Sequence, residues 1–230
     1  MDEINEIPKA SMEFPSIPEV PVVTAEFEDV MAEWKDFSME MDEFYKSLEV
    51  AEAPREVMEA REYGVSECAE VAKECFTPEV IQNWTIMDVE QRNVVIQEYA
   101  HGIGEGMGID FKGIVWEAMD EYTYGYNSGD GYVHLNVAMI ADPAQLMFIV
   151  DTVAHEARHQ MQFEAMQDPE KFPIDEASIT EWTVANAIYT LDAPSAYDPW
   201  GYTYNPMEID ARYFGEAMVR ELTKDIINNA

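Results

Sequence analysis

Apolar residues between positions 24 and 48 recur at helical spacing: Phe27, Val30, Met31, Trp34, Phe37, Met41, Phe44, Tyr45 and Leu48, with acids and lysines between them. Steps of three and four residues place such a set on one helix face. A second helical stretch carries Val57, Met58, Val65, Cys68, Val71 and Cys75, with Gly64 as its weak point. Together they predict an α-hairpin docked on the remainder. Thr77-Pro78-Glu79 is a helix start, with a capping hydroxyl and proline in the first turn. Asp88 and Gln91 form a second cap ahead of Val94, Val95, Ile96, Tyr99 and Ile103, and the glycines at 102, 104, 106 and 108 are expected to end that helix. The period then changes. Ile114-Val115-Trp116 and Tyr122–Tyr126 predict strands, Asn127–Gly131 a turn, and Tyr132–Val137 alternates at period two. Asp142-Pro143 opens a helix whose buried face is Leu146, Met147, Val150, Val153, Ala157 and Met161, ending before Asp168-Pro169. Ile179, Trp182 and Ile188 mark another helix, and an aromatic loop runs from Tyr197 to Tyr204. Asn205-Pro206-Met207-Glu208 starts the last helix, striped by Met207, Ala211, Phe214, Met218 and Leu222.

Helices outnumber strands, so the expected class is α+β, mainly helical with a small sheet. Residues 1–22 mix acids with Pro8, Pro15, Pro18 and Pro21 and show no period, predicting an acidic flexible tail. An N-terminal helical region over 23–76 and a main domain over 77–230 follow.

Charge narrows the function classes. Against 13 basic side chains stand 47 acidic ones, a formal net charge of −34. That field repels nucleic-acid phosphates and anionic lipid, so neither nucleic acid nor membrane is an expected partner. Cationic substrates, cationic partners and divalent metals are favoured, and solubility alone accounts for many of the carboxylates. Cys68 and Cys75 lie seven apart in one helical stretch, beyond disulfide reach, and read as a buried apolar pair. The opening Met1-Asp2-Glu3-Ile4-Asn5-Glu6 has no basic or apolar signal region, which predicts a cytoplasmic location and leaves export by a signal-independent route open.

The chemistry concentrates in Thr152–Gln160. Two of the chain's four histidines, His155 and His159, fall four apart with Glu156 beside the first. On a helix that spacing stacks two imidazoles on one face, where both can reach one zinc ion at about 2.0–2.1 Å with the glutamate turned toward a water. The competing reading is an amphipathic helix whose histidines are satisfied by carboxylates. A catalytic zinc usually takes a third protein ligand and keeps its fourth position for water. Glu208, in the first turn of the last helix, is the candidate, with a simple dipole-complementing acid as its alternative. Asp210 projects roughly 200° away around that helix, which casts it as an acceptor for a ligand histidine or as a surface acid. Glu156 is the candidate general base. Tyr202, Tyr204 and Tyr213 are candidate donors to a developing oxyanion, and Tyr132–Val137 is a candidate edge strand for an extended peptide. His101 reads as a helix C-terminal cap and His134 as a surface strand histidine.

His155-Glu156-Ala157-Arg158-His159 with Gln162, followed by Asn205 to Phe214, resembles the minimal bacterial zincin metallopeptidases. It is similar to the ImmA/IrrE-like group and to zincin domains of phage-borne and toxin-type proteins. The likeness covers roughly residues 88–220, and it departs at Gly215, where the ImmA-like pattern has alanine; Arg212 rather than aspartate stands four residues after the proposed ligand, so the larger thermolysin-like pattern is not met. The resemblance implies a zincin-like catalytic domain over 77–230 and Glu208 as third ligand, with Ala211 and Phe214 at the spacing that accompanies it. It also implies hydrolysis of a peptide or protein substrate. Two rival expectations remain: a non-catalytic, zincin-shaped acidic interaction protein, and a secreted toxin or effector bearing such a domain.

Overall fold

The computed structural model describes residues 55–191 and 204–229, with residues 17, 18, 29, 30 and 32 besides. Apart from those five positions, the predicted tail and the aromatic stripe from Phe27 to Leu48 lie outside the described residues. So does most of the loop from Tyr197, including Tyr202. Among the described residues the order is α1 (Arg55–Glu62), α2 (Val65–Cys75), α3 (Pro78–Asn83), α4 (Val89–Met107), β1 (Gly113–Glu117), β2 (Gly125–Asn127), β3 (Tyr132–Asn136), α5 (Val137–Ala141), α6 (Leu146–Gln167), α7 (Glu176–Leu191) and α8 (Pro206–Asn229). The class is α+β, mostly helical with a three-stranded mixed sheet. No helix among the described residues is long and apolar enough to cross a membrane.

Local chemistry accounts for the boundaries. Gly64, at φ 78°, separates α1 from α2 in a backbone conformation that side-chain-bearing residues rarely adopt. The Thr77 side chain accepts from the Val80 amide, and Asp88 and Gln91 exchange both capping-box bonds. Asp142 caps a short 3-10 turn, Pro143–Gln145, from which α6 continues.

The glycines of α4 do not end it. The helix runs through Gly102, Gly104 and Gly106 and stops only at left-handed Gly108. Added Cβ atoms would collide with Val71 at 102, with Phe111 at 104 and with the Cys68 sulfur at 106. These positions therefore buy close approach of α2 and of the segment leading to β1. His101 accordingly lies inside α4, with its ring edge-on to Phe111, and is not a terminal cap.

The strand order is β1-β3-β2, with β1 parallel and β2 antiparallel to β3. The expectation that Tyr132–Val137 offers a free edge therefore fails, because β3 is the central strand. Of the stretch Tyr122–Tyr126, only Gly125 and Tyr126 enter a strand, and β2 is an outer strand of the sheet. A Cβ on Gly125 would lie 2.7 Å from the His134 carbonyl and 3.0 Å from Thr152 Cγ2, so this glycine lets β2 close on both β3 and α6.

One core holds these elements together. Phe76, Trp84 and Tyr99, Ile114 and Leu135, the apolar face of α6, and Met207, Phe214, Met218 and Leu222 of α8 all belong to it. Cys68, Ala69 and Ala72 of α2 belong to the same core, and both cysteines are free thiols. Asp151 meets Gly215, His155 meets Glu208 and Gln162 meets Met207, so residue numbers rise along α6 as they fall along α8: the two helices run antiparallel. The Gly215→Ala variant tests that closeness, since its Cβ would sit 2.5 Å from Asp151 Oδ1 and 2.9 Å from the Asp151 carbonyl. Thermal unfolding should show a loss of about 1–3 kcal/mol, the usual cost of overpacking. An unchanged melting temperature would contradict the packing.

Candidate metal centre

Helix α6 carries unusual cargo for a core element. From Thr152 to Gln162 every residue is buried, including His155, Glu156, Arg158, His159, Gln160 and Gln162. Buried polar groups require partners. The two histidines turn their Nε2 atoms together, 3.1 Å apart, and α8 brings Glu208 onto the pair. His155 Nε2 lies 3.4 Å from Glu208 Oε2, and His159 Nε2 lies 3.4 Å from Glu208 Oε1. Glu156 Oε1 is 3.9 Å from His155 Nε2.

The donor set can be tested against a tetrahedral zinc ion. Ligand atoms held at about 2.0–2.1 Å at tetrahedral angles stand about 3.3 Å from one another. The two imidazole nitrogens stand 3.1 Å apart, each lies 3.4 Å from one of the two Glu208 oxygens, and one ligand atom from each residue lies within 4.8 Å of the others. Glu208 Oε2, although buried, has no hydrogen-bond partner, which leaves a carboxylate oxygen aimed at the imidazoles and unsatisfied by protein. His155, His159 and Glu208 form the one group of three or more potential ligands found among the described residues. The residues fit the ion.

Mutual proximity also sets the protonation chemistry. Burial opposes charge on His159, but Glu208, assisted by Glu156 and Gln162, outweighs it and lifts the imidazole to about 9. Burial likewise opposes charge on Glu208, and the two imidazoles overcome it, holding the carboxyl well below the usual range. Asp151, four residues before His155, is pushed up to about 6 by burial, opposed by His155 and reinforced by the Glu156 charge.

His159 is oriented from behind. The Gln162 side-chain nitrogen lies 3.0 Å from the Met207 carbonyl and 2.7 Å from Asp210 Oδ2, both acceptors, so Gln162 Oε1 must be the atom facing His159 Nδ1 at 2.8 Å. That oxygen accepts only if His159 carries a proton on Nδ1, which commits Nε2 to the cluster. Asp210 is 2 % exposed and receives Arg158 and Gln162. It is neither a surface acid nor a direct partner of a ligand histidine.

The cluster floors a cleft of about 630 Å³. One wall is the segment Tyr122–Asn127, and the other carries Asn186, Asn205, Met207 and Arg212. The anticipated oxyanion donors are placed differently. Tyr213 bonds Glu62, and burial, with that carboxylate, pushes its hydroxyl up to about 12. Tyr204 is 51 % exposed and does not line the cleft. Tyr122, Tyr124 and Tyr126 do, although the Tyr126 hydroxyl donates to Glu117 at 3.1 Å. Arg212 lines it too, as its only lysine or arginine among the described residues. Helical periodicity carried the signal for two residues missed in the sequence, since Asp151 precedes His155 by four and Arg212 follows Glu208 by four. No comparable signal marked the tyrosine wall. His134 is not a free surface histidine: it lies between Glu117 at 2.7 Å and Asp130 at 3.2 Å, stacked on Tyr126. No protein-family model, no curated protein and no solved structure significantly matches the chain.

Proposed function

We propose that the chain is a zinc-dependent metallopeptidase, similar in its site to the minimal zincins, that hydrolyses an extended peptide or protein segment laid in the cleft. The observation carrying this reading is the buried convergence of His155, His159 and Glu208, one ligand atom from each lying within 4.8 Å of the others, with Glu156 beside them. Those three residues would hold the metal, which when bound lowers the pKa of a water and polarises a carbonyl. Glu156 takes the proton released as the water oxygen bonds to the scissile carbon. It returns that proton to the nitrogen as the C–N bond breaks, so no net proton is consumed on the enzyme. Strand β2 borders the cleft and is an outer strand of the sheet among the described residues, a place that suits pairing with an extended chain. The overall charge of −34 favours cationic segments.

Purified protein should bind one zinc per chain, and His155→Ala should abolish stoichiometric metal. Glu156→Gln should keep the metal and lose about 10²–10⁴-fold in cleavage of a quenched-fluorescence peptide library, the usual contribution of a general base. Wild type without stoichiometric metal sinks the proposal. If Glu156→Gln leaves function intact, the non-catalytic interaction reading takes its place.

Zinc affinity should also depend on pH in a defined direction. Metal must displace the acidic proton that His159 holds up to about pH 9. Below that value, each unit of falling pH should weaken apparent binding about tenfold for that one proton, read by chelator competition between pH 6 and 8. In the metal-free chain the same group stabilises the fold below its unfolded value, near 6.5, and that contribution fades as pH rises through about 9. The stability difference between wild type and His159→Gln should therefore shrink from pH 7 to pH 10.

A further inference from the structure

We infer that Gln162, Asp210 and Arg158 form a positioning chain through which the bend between α1 and α2 holds His159, so that metal affinity in the cleft depends on a segment about a hundred residues before the motif. The inference rests on the zinc reading above and assigns a role to residues 60–63, which no part of that mechanism uses.

The chain begins where α1 ends. Gly64 turns the backbone there, and the Ala60 carbonyl accepts a long bond from the Tyr63 amide at 3.3 Å and keeps a lone pair for a second donor. Arg158, fully buried, supplies the donors: Nη1 to the Tyr63 carbonyl at 2.9 Å and Nη2 to the Ala60 carbonyl at 2.6 Å. A guanidinium at a helix C-terminus also meets the negative end of the helix dipole. The other side of the same guanidinium grips Asp210 in a fork, Nε to Oδ2 at 2.8 Å and Nη2 to Oδ1 at 3.1 Å, over the face of Phe214 at 5.1 Å. Asp210 Oδ2 then accepts from Gln162 at 2.7 Å, and Gln162 Oε1 accepts from His159 Nδ1 at 2.8 Å. The members are buried, so water cannot substitute for a lost partner. Gln162 has its amide oriented only because Asp210 and the Met207 carbonyl both demand its nitrogen. Asp210 is in turn fixed by an arginine anchored on α1. Arg158, Asp210 and Gln162 are positioning residues, since none of them belongs to the ligand triangle.

The test is a double-mutant cycle on the full chain, with zinc affinity measured by chelator competition, the cobalt-substituted absorption spectrum as a second readout, and far-UV circular dichroism to verify folding. Gln162→Leu should weaken zinc by about 10–100-fold, the range typical of partners that orient a ligand histidine. Arg158→Lys, which keeps charge but not the fork, should weaken it by a smaller factor. The double variant should be no weaker than Gln162→Leu alone, because both changes interrupt one chain. Should Arg158→Lys fail to fold, Asp210→Asn replaces it, with the same non-additivity expected. Wild-type affinity and cobalt spectrum in Gln162→Leu, or effects that multiply independently, overturn this inference alone. Absence of zinc from the wild type overturns both it and the peptidase reading.

Discussion

The contact between α6 and α8 governs the molecule. A helix that threads the core while carrying two histidines, a glutamate, an arginine and two glutamines can exist only if a neighbour satisfies them. Helix α8 does so at several levels. Gly215 admits Asp151, Glu208 faces the imidazoles, and Asp210 binds Arg158 and Gln162. Polar contacts and apolar packing alternate along the same interface, where Ala211, Phe214 and Met218 are fully buried beside the charged groups. A buried ion pair of this kind is weak evidence of net stability and better evidence of register, because removing either partner strands the other. The Arg158–Asp210 pair sets how α8 sits on α6, and register decides whether a carboxylate arrives at the histidines at all.

The remaining elements serve that pair. Helices α2 and α4 meet along a row of glycines, and Gly125 lets the short outer strand close on the motif helix. Tyr99, buried in α4, donates to the Val150 carbonyl just before the histidines. Arg92 reaches four carbonyls around the start of α4 and the end of α5, tying the approach to α6 in place. Rigid support is what a ligand set needs, since metal geometry tolerates little displacement.

Much of this was legible in residue order, for identifiable reasons. Caps are local, so Thr77, Asp88 with Gln91, and Pro206 marked their helices. The spacing of His155 and His159 with Glu156 expressed helix geometry directly, and the start of α8 singled out Glu208. What stayed hidden depended on partners distant in sequence. Glycines in α4 looked like stops because a single chain does not reveal that Val71, Phe111 and Cys68 will press against them. Asp210 read as an acceptor for a ligand histidine or as a surface acid because its partners, Arg158 and Gln162, lie about fifty residues away. The position of β3 in the middle of the sheet follows from a parallel pairing with β1 that no local pattern encodes.

The span of contacts around Arg158 has a bearing on biosynthesis. One side of this guanidinium needs carbonyls at positions 60 and 63, the other an acid at 210, and the histidines wait for position 208 in a helix that closes at 229. During translation the two histidines therefore precede their carboxylate, since Glu208 follows His159 by 49 residues. His155, His159 and Glu208 come together only when α8 folds back on α6.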